Sequence, residues 1–443
     1  MSYSVSAVKY EKPFESLNKA IALCDGLRDL SPNSKVFIKP NLVVWYEGVN
    51  FPKYGVLTTS RLIEDMVRLL NEHGIGDISI VEGLVESEKT KYSMLELAAK
   101  GMGLDVLKTR YGVKIIDVMK GSFTRLSLDD RKLSVNTDIL NADYFINMPV
   151  LKTHSQAMVS LGIKNLKGLL NIPSRKECHN PDRSINLDYH LSRFLDILSP
   201  DLTIIDGIYS LERGPLINGT AHRSNVIIVS NDPISADKVG ATILGFKPHV
   251  VPHISMAAKR NERERDLSDI SIRGDVDIKK ALKPHNWEWE QNKSGDLPLF
   301  FEKAGIKGIR YPKMDNTMCT YCVHFINYVV MGILMAKNES KCFDDIEILY
   351  GKIHKPTPGH KHTLLVGQCQ VKLNSDNSLI NHCVKIPGCP AKKKGFLVAF
   401  QELGIELPEG FMTWMEKSPE LIHMKKYEGR AEFDPSFYTI TEK

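Results

Sequence analysis

From residue 4 onward, short apolar runs alternate with longer runs of helical period, and a chain so patterned has few ways to bury itself. Residues 4–10 read as a strand, 14–27 as a helix, 35–38 as a short buried strand, 59–73 as a helix and 77–81 as a strand. Within 59–73, Leu62, Ile63, Met66, Leu69 and Leu70 recur at helical spacing, Glu64 and Asp65 lie early, and Gly74 supplies a stop. This β-α-β-α-β order predicts an α/β fold, a doubly wound, largely parallel sheet with helices on its faces and right-handed crossovers.

In such sheets function gathers in the loops just beyond the carboxyl ends of the strands. Three predicted ends are polar: Lys39-Pro40-Asn41, Glu82-Gly83, and the run from Pro149 through Lys152 to His154. Lys39 and Asn41 offer a cation and an amide to a carboxylate or phosphate, and Lys152 and His154 open on the same rim. His154 is the acid–base candidate because imidazole titrates near neutrality, a histidine held by backbone hydrogen bonds being the bland alternative. Lys164, Asn165 and Lys167 can line the same pocket, or the two lysines can form an exposed basic face. Asp206 ends a buried strand, where a carboxylate can bind substrate or a metal, orient a lysine or cap a helix; for Asp232, before Pro233, capping is expected. Residues 123–136 alternate like an antiparallel ribbon with Asp129-Asp130 at its turn.

A further strand–helix pass is expected at 202–205, 225–229 and 235–244. At 443 residues the chain is long enough for two domains. We expect an α/β domain over 1–265, a connecting region over 266–310, a smaller cysteine-rich α/β domain over 311–415 and a tail over 416–443. In the third part an apolar helix follows Cys319 to about residue 337, 346–350 and 363–366 are strands, and 392–403 is a helix.

Eight cysteines occur in a chain whose start lacks the basic and apolar regions of an export signal. The longest apolar run, 328–336, is far short of the roughly twenty residues of a spanning helix. The expected setting is therefore the cytoplasm, where thiols serve as ligands, catalysts or buried groups rather than disulfides. Cys319 and Cys322 form a Cys-x-x-Cys pair, and Cys369 and Cys389 follow in Gly-Gln-Cys and Pro-Gly-Cys-Pro. Four thiolates suit an iron–sulfur cluster, with zinc the less favoured occupant. Cys383 is the rival fourth ligand and Cys342 a weaker one. Cys24 reads as a buried hydrophobe and Cys178, beside His179, as a reactive or ligating thiol or, the favoured reading, an incidental surface cysteine, while His354, His360 and His362 fall near the third cysteine motif. A formal charge of +5 without a basic arm favours anionic small molecules or an acidic partner and argues against nucleic acid.

Two resemblances follow from these motifs. The segments Ile38-Lys39-Pro40-Asn41-Leu42, 147–154, Lys164-Asn165-Leu166-Lys167-Gly168 and 231–237 resemble the family known as domain of unknown function 362, about half of the chain, many members of which are iron–sulfur proteins. The cysteine motifs are similar to the small subunit of nickel–iron hydrogenases and its relative in respiratory complex I. That resemblance implies one 4Fe-4S cluster on Cys319, Cys322, Cys369 and Cys389. Gln370, the missing paired glycines and Ala391 depart from the pattern, which leaves the ligand set intact and puts close packing against a partner's metal site in doubt. The expected function is that of a cytoplasmic iron–sulfur oxidoreductase acting on an anionic small molecule, with a possible electron-donor protein and an open oligomeric state. The alternatives are a non-catalytic electron-transfer or accessory subunit and a non-redox isomerase or lyase with structural zinc.

Overall fold

The computed structural model describes residues 2–84, 92–129 and 131–442, so Asp130 lies outside the described residues, as does the side chain of Thr320. The chain divides into two compact units, one of residues 1–175, 188–287 and 419–443, the other of 176–187 and 288–418. This differs from the linear order expected above. The span 266–310 is split between the units, residues 176–187 leave the first, and the tail rejoins it.

The large unit is built on β1 (Tyr3–Lys9), β2 (Lys35–Pro40), β3 (Asp77–Glu82), β4 (Lys114–Asp117), β5 (Phe123–Leu128), β6 (Arg131–Asn136), β7 (Tyr144–Met148), β8 (Val150–His154), β9 (Met158–Ser160), β10 (Leu202–Glu212), β11 (Thr220–Ser230) and β12 (Ile270–Arg273). Ten of these form one sheet in the order β12-β1-β11-β10-β7-β2-β3-β4, with β8 beside β10 and β9 beside β8. Strands β10, β7, β2, β3 and β4 are mutually parallel, as the alternating pattern requires. The ribbon β5–β6 stands apart as an antiparallel pair.

The sheet is apolar on both faces. Along β10 and β11, Ile204, Ile227 and Val229 join one core while their neighbours Ile205, Val226 and Ile228 join the other. Buried two-sided strands lose the polar alternation of a half-exposed sheet, which is why these runs read as continuously hydrophobic. β10 and β11 pair antiparallel, from Thr203 with Ser230 to Glu212 with Thr220, an exception within the largely parallel sheet. The seven residues between Glu212 and Thr220 cannot supply the dozen or more that a parallel crossover needs.

The helix Ser60–Glu72 buries Leu62, Ile63, Met66, Val67, Leu69 and Leu70, and its N-cap Thr59 accepts a hydrogen bond from the Leu62 N–H. The tail wraps back onto the large unit. Tyr427, Phe433 and Tyr438 close around Tyr54 with ring centroids 5.0–5.6 Å away, inside the same core.

The small unit holds β13 (Lys307–Arg310), β14 (Cys342–Leu349), β15 (His362–Val366) and β16 (His382–Ile386), all parallel and in sequence order. The helices Thr320–Met335, Gln368–Asn374 and Lys393–Glu402 follow β13, β15 and β16. Among the described residues no helix is long and apolar enough to cross a membrane.

Candidate functional site

Lys39 is the last residue but one of β2 and Glu82 ends β3, two parallel neighbours in register at Ile38 and Ile80. Both side chains are buried, and the Lys39 ammonium lies 3.0 Å from each Glu82 carboxylate oxygen. Burial drives the Lys39 pKa down, and Glu82 opposes that. The carboxylate also accepts the N–H groups of Leu42 at 2.9 Å and Gly83 at 2.8 Å, so both of its oxygens are satisfied. A buried charge survives only when paired and hydrogen-bonded in this way.

From that pair a chain of amides runs across the strand ends. Asn165 Oδ1 accepts from Lys39 at 3.3 Å and from Asn41 Nδ2 at 2.8 Å, and Asn165 Nδ2 donates to Asn147 Oδ1 at 2.8 Å. Asn41 Oδ1 in turn accepts from Lys152 Nζ at 2.5 Å, and Lys152 also donates to the carbonyls of Val56 at 2.7 Å and Pro215 at 3.4 Å. Lys152 is 1% exposed, and desolvation lowers its pKa to about 7, with Lys39 adding to the shift and Glu82 resisting it. Three carbonyl acceptors suit the ammonium, while burial favours the amine, so both forms exist near neutrality.

Because the folded pKa of Lys152 lies below its ordinary 10.5, between about 7 and 10.5 the unfolded chain holds a proton that the folded one lacks. Stability from this group therefore rises with pH across that window. Relative to Lys152→Met, the native protein is expected to gain about 2 kcal/mol between pH 7 and pH 9 in urea unfolding. A constant gap between the two proteins would show that Lys152 carries the same proton in both states.

Lys152 and His154 are two apart on β8 and share its face. His154 is buried, and its Nδ1 accepts the Gln156 N–H at 3.1 Å, which leaves the proton of a neutral ring on Nε2. Lys167 is buried and Lys164 half-buried on the segment of helix Gly162–Asn165 and the single turn Leu166–Leu169. A Cβ on Gly168 would stand 2.8 Å from Glu82 Oε1 and 2.9 Å from Lys39 Nζ, so this glycine lets the segment approach the ion pair.

Asp206 plays a different part. Its oxygens accept the backbone N–H groups of Thr59 at 2.7 Å and Ile208 at 3.0 Å, which fixes the start of the helix Ser60–Glu72. Thr59 itself caps that helix through its side chain, and Asp206 holds the Thr59 backbone. Asp232 likewise caps the helix Pro233–Ile243 by accepting the Ser235 N–H.

Sequence reasoning missed Glu82 as a partner, along with Asn147, Arg175 and Asp237. Arg175 donates to the carbonyls of Gly83 and Leu170, both at 2.8 Å, and Asp237 accepts the N–H groups of Gly162 at 2.6 Å and Ile163 at 2.9 Å. Glu82 had a visible signal, a carboxylate closing a strand predicted to lie beside the one that Lys39 ends. Arg175 had none.

In the small unit the four motif cysteines come from three loops at the carboxyl side of the parallel sheet, with Cys319 as N-cap of the helix Thr320–Met335. The Cys322 thiol is pushed up by its hydrogen bond with Cys319, then by burial, then by the charges of Cys319, Cys369 and Cys389. The other three motif cysteines are thus the charges that act on Cys322. The last two loops are joined, Gly367 N–H donating to Ile386 O at 2.8 Å and Gln368 N–H to Gly388 O at 2.9 Å. Gly367 has φ +85°, and a Cβ there would lie 3.2 Å from the Cys322 sulfur, so glycine makes room for that thiol. Gln370, which departs from the hydrogenase-like pattern, is buried and donates to the carbonyls of Tyr350, Gly351 and His354.

Among the described residues no three His, Cys, Asp or Glu side chains are arranged to hold a metal ion. A four-iron cluster gives each cysteine its own iron and so does not require the thiols to meet at one point. Four cysteine thiols are the donor set that such a cluster takes, and Cys319, Cys369 and Cys389 are the thiols that act on Cys322.

Cys383 lies within β16, and its electrostatic neighbours are Lys385, Glu402 and Asp376. Cys342 begins β14 at the amino end of the sheet, as His362 does for β15 with His360 two residues before it, and His362 meets His382 there at 2.8 Å. Cys178 is fully buried, contrary to the expected surface thiol, because 176–187 packs within the small unit, where His179 Nδ1 donates to Asn316 O at 2.7 Å. The Pro-Gly-Cys-Pro motif does not open a helix directly. The helix begins at Lys393, after a short turn that bridges Gly388 to Ala391.

The fold and sites define a chain that couples a parallel α/β unit, with a buried amine–amide network at its strand ends, to a small parallel α/β unit carrying four thiols. Residues 36–242 match the family described as Domain of unknown function (DUF362), as the motifs of that segment led us to expect. The thylakoid-associated protein sll1697 of Synechocystis sp. (strain ATCC 27184 / PCC 6803 / Kazusa) is 24% identical over 241 residues, 52% of this chain and 68% of the relative. The lactate racemase apoprotein of Thermoanaerobacterium thermosaccharolyticum superposes with a TM-score of 0.33 and 10% identity, over 55% of this chain and 58%, less than two thirds, of that one.

Proposed function

We propose that the chain is a cytoplasmic iron–sulfur oxidoreductase acting on an anionic small molecule. The observation that carries this reading is the gathering of Cys319, Cys322, Cys369 and Cys389, with three of the four acting on the remaining thiol. Those residues would hold a 4Fe-4S cluster, which supplies one-electron transfer when bound.

The large unit supplies recognition and proton handling. Lys39 and Lys152 bring two amines and Glu82 one carboxylate to the strand ends, a net positive site lined by the amides of Asn41, Asn147 and Asn165. Such a lining favours a carboxylate or phosphate that offers acceptors to amides and ammonium groups at once. Lys152, with its pKa near 7, exchanges a proton at working pH, and His154 holds or delivers one at Nε2. Lys164 and Lys167 extend the same positive field.

The test is anaerobic purification followed by optical and electron paramagnetic spectra of the oxidised and dithionite-reduced protein, with calorimetric titration of small carboxylates and phosphate. We expect a coloured protein with iron and sulfide near four per chain and anion binding that is lost in Lys152→Met. A colourless protein holding one zinc per chain would overturn the redox reading in favour of a zinc-stabilised isomerase or lyase. A cluster accompanied by no anion binding would leave an electron-transfer subunit.

A further inference from the structure

The cysteine-bearing segments of the small unit are one-sided in charge. Residues 351–401, which carry Cys369 and Cys389, contain eight lysines, no glutamate and one aspartate, Asp376. A random quarter-charged surface would mix both signs. The imbalance is therefore a property of the loops that surround the thiols.

The structure brings part of this charge to the thiols themselves. Cys369 and Cys389 are exposed, whereas Cys319 and Cys322 are only partly so. Lys352 and Lys176 are near enough to Cys369 to act on its thiol. Lys352 is held in place, donating to the carbonyls of Lys176 at 3.1 Å and His179 at 2.6 Å. Lys372 follows Cys369 by three positions on the helix Gln368–Asn374 and shares its face. Lys392 and Lys394 lie just beyond Cys389, and the Lys392 stem passes 3.3 Å from the Cβ position of Gly388.

Lys372, Lys392 and Lys394 are exposed, and among the described residues none has a carboxylate within ion-pair distance. By contrast Lys393 reaches Glu416 at 3.1 Å, and Lys337 reaches Glu406 at 2.7 Å. Apolar surface adjoins the free charges: Leu373 follows Lys372, and Leu397 and Val398 lie one turn after Lys394, exposed by 44%, 42% and 56%. Exposed apolar residues beside a charged border are the composition of a transient protein interface.

We propose that this lysine-bordered face, open at Cys369 and Cys389, is the docking surface for a small acidic protein that carries one electron. The proposal rests on the cluster reading for its purpose. Its recognition chemistry is separate, being charge complementarity between Lys176, Lys352, Lys372, Lys392 and Lys394 and a patch of carboxylates. Such complementarity sets encounter rate and orientation, and salt screens it.

The full-length chain, purified anaerobically, is passed over an immobilised plant-type [2Fe–2S] ferredoxin, an acidic one-electron carrier. Binding is expected to weaken at least about tenfold between roughly 50 and 300 mM salt. The triple substitution Lys372→Glu, Lys392→Glu and Lys394→Glu is expected to weaken it at least about tenfold at low salt, with visible absorbance per chain unchanged as proof of an intact unit. Unchanged binding by that variant would overturn the proposal. Equal binding of a basic cytochrome c would do the same, as would tighter binding of a single-stranded oligonucleotide or of anionic lipid vesicles. The two readings fail separately. A chain that binds ferredoxin but shows no chromophore keeps the docking face and loses the cluster, and a coloured chain that does not bind loses the docking face alone.

Discussion

Glu82→Gln is expected to lower the unfolding free energy by about 3–5 kcal/mol, the cost of leaving a buried ammonium without its counter-ion. Lys39 is 1% exposed and has Glu82 as its carboxylate partner at 3.0 Å. The amide of a glutamine keeps one acceptor oxygen where the native side chain serves Lys39, Leu42 N–H and Gly83 N–H with two. Lys39→Met should cost a similar amount, since it strands the carboxylate instead. The double substitution should cost clearly less than the sum, because the buried charges leave together, and a coupling energy of about 2–3 kcal/mol is expected from urea unfolding of all four proteins. Additive single effects, or single effects below about 1 kcal/mol, would mean that water reaches the pair and that the network is no preorganised site. The outcome bears on function because Asn165, Asn41 and Lys152 take their positions from this pair through consecutive hydrogen bonds.

The gathering of Lys39, Asn41, Lys152 and Asn165 was legible because it needs only local information and one topological rule. Each strand announces itself by its apolar run, and parallel strands deliver their ends to one side. What stayed hidden depends on pairing between distant segments. The runs that became β10 and β11 announce two strands with a loop between them, but not that the two pair with each other antiparallel. Residues 176–187 carry no mark of joining the small unit, yet that placement buries Cys178 and fixes His179 against Asn316. Whether the tail wraps or frays stayed open because Tyr427, Phe433 and Tyr438 have no period, and their order comes from Tyr54, nearly four hundred positions earlier in the chain. Asp206 illustrates the remaining ambiguity: a strand-end carboxylate looks the same whether it meets a ligand or the backbone N–H of Thr59.

The four cysteines admit a sharper experiment, in which the rival ligand serves as its own control. Single serine substitutions at Cys319, Cys322, Cys369 and Cys389 are each expected to reduce iron and acid-labile sulfide, after anaerobic reconstitution, to a small fraction of the native content. Cys383→Ser is expected to leave both unchanged, as is Cys342→Ser. The physical basis is position on the parallel sheet. Cys369 and Cys389 follow β15 and β16 at their carboxyl ends, where Gly367 and Gly388 turn the chain with φ +85° and +112°. Cys383 instead pairs within the ladder opposite Thr363, near the amino end of β16. The charges acting on its thiol come from Lys385, Glu402 and Asp376, whereas those on Cys322 come from the other three motif cysteines. A thiol fixed in a strand ladder cannot reach the loops at the opposite end without breaking the register of Val366 with Ile386. Loss of iron in Cys383→Ser with retention in Cys389→Ser would therefore require a different fold of residues 382–392, and circular dichroism of the two variants would reveal it. Retention of iron in all four motif variants would remove the cluster, and with it the reason for a lysine-bordered opening at Cys369.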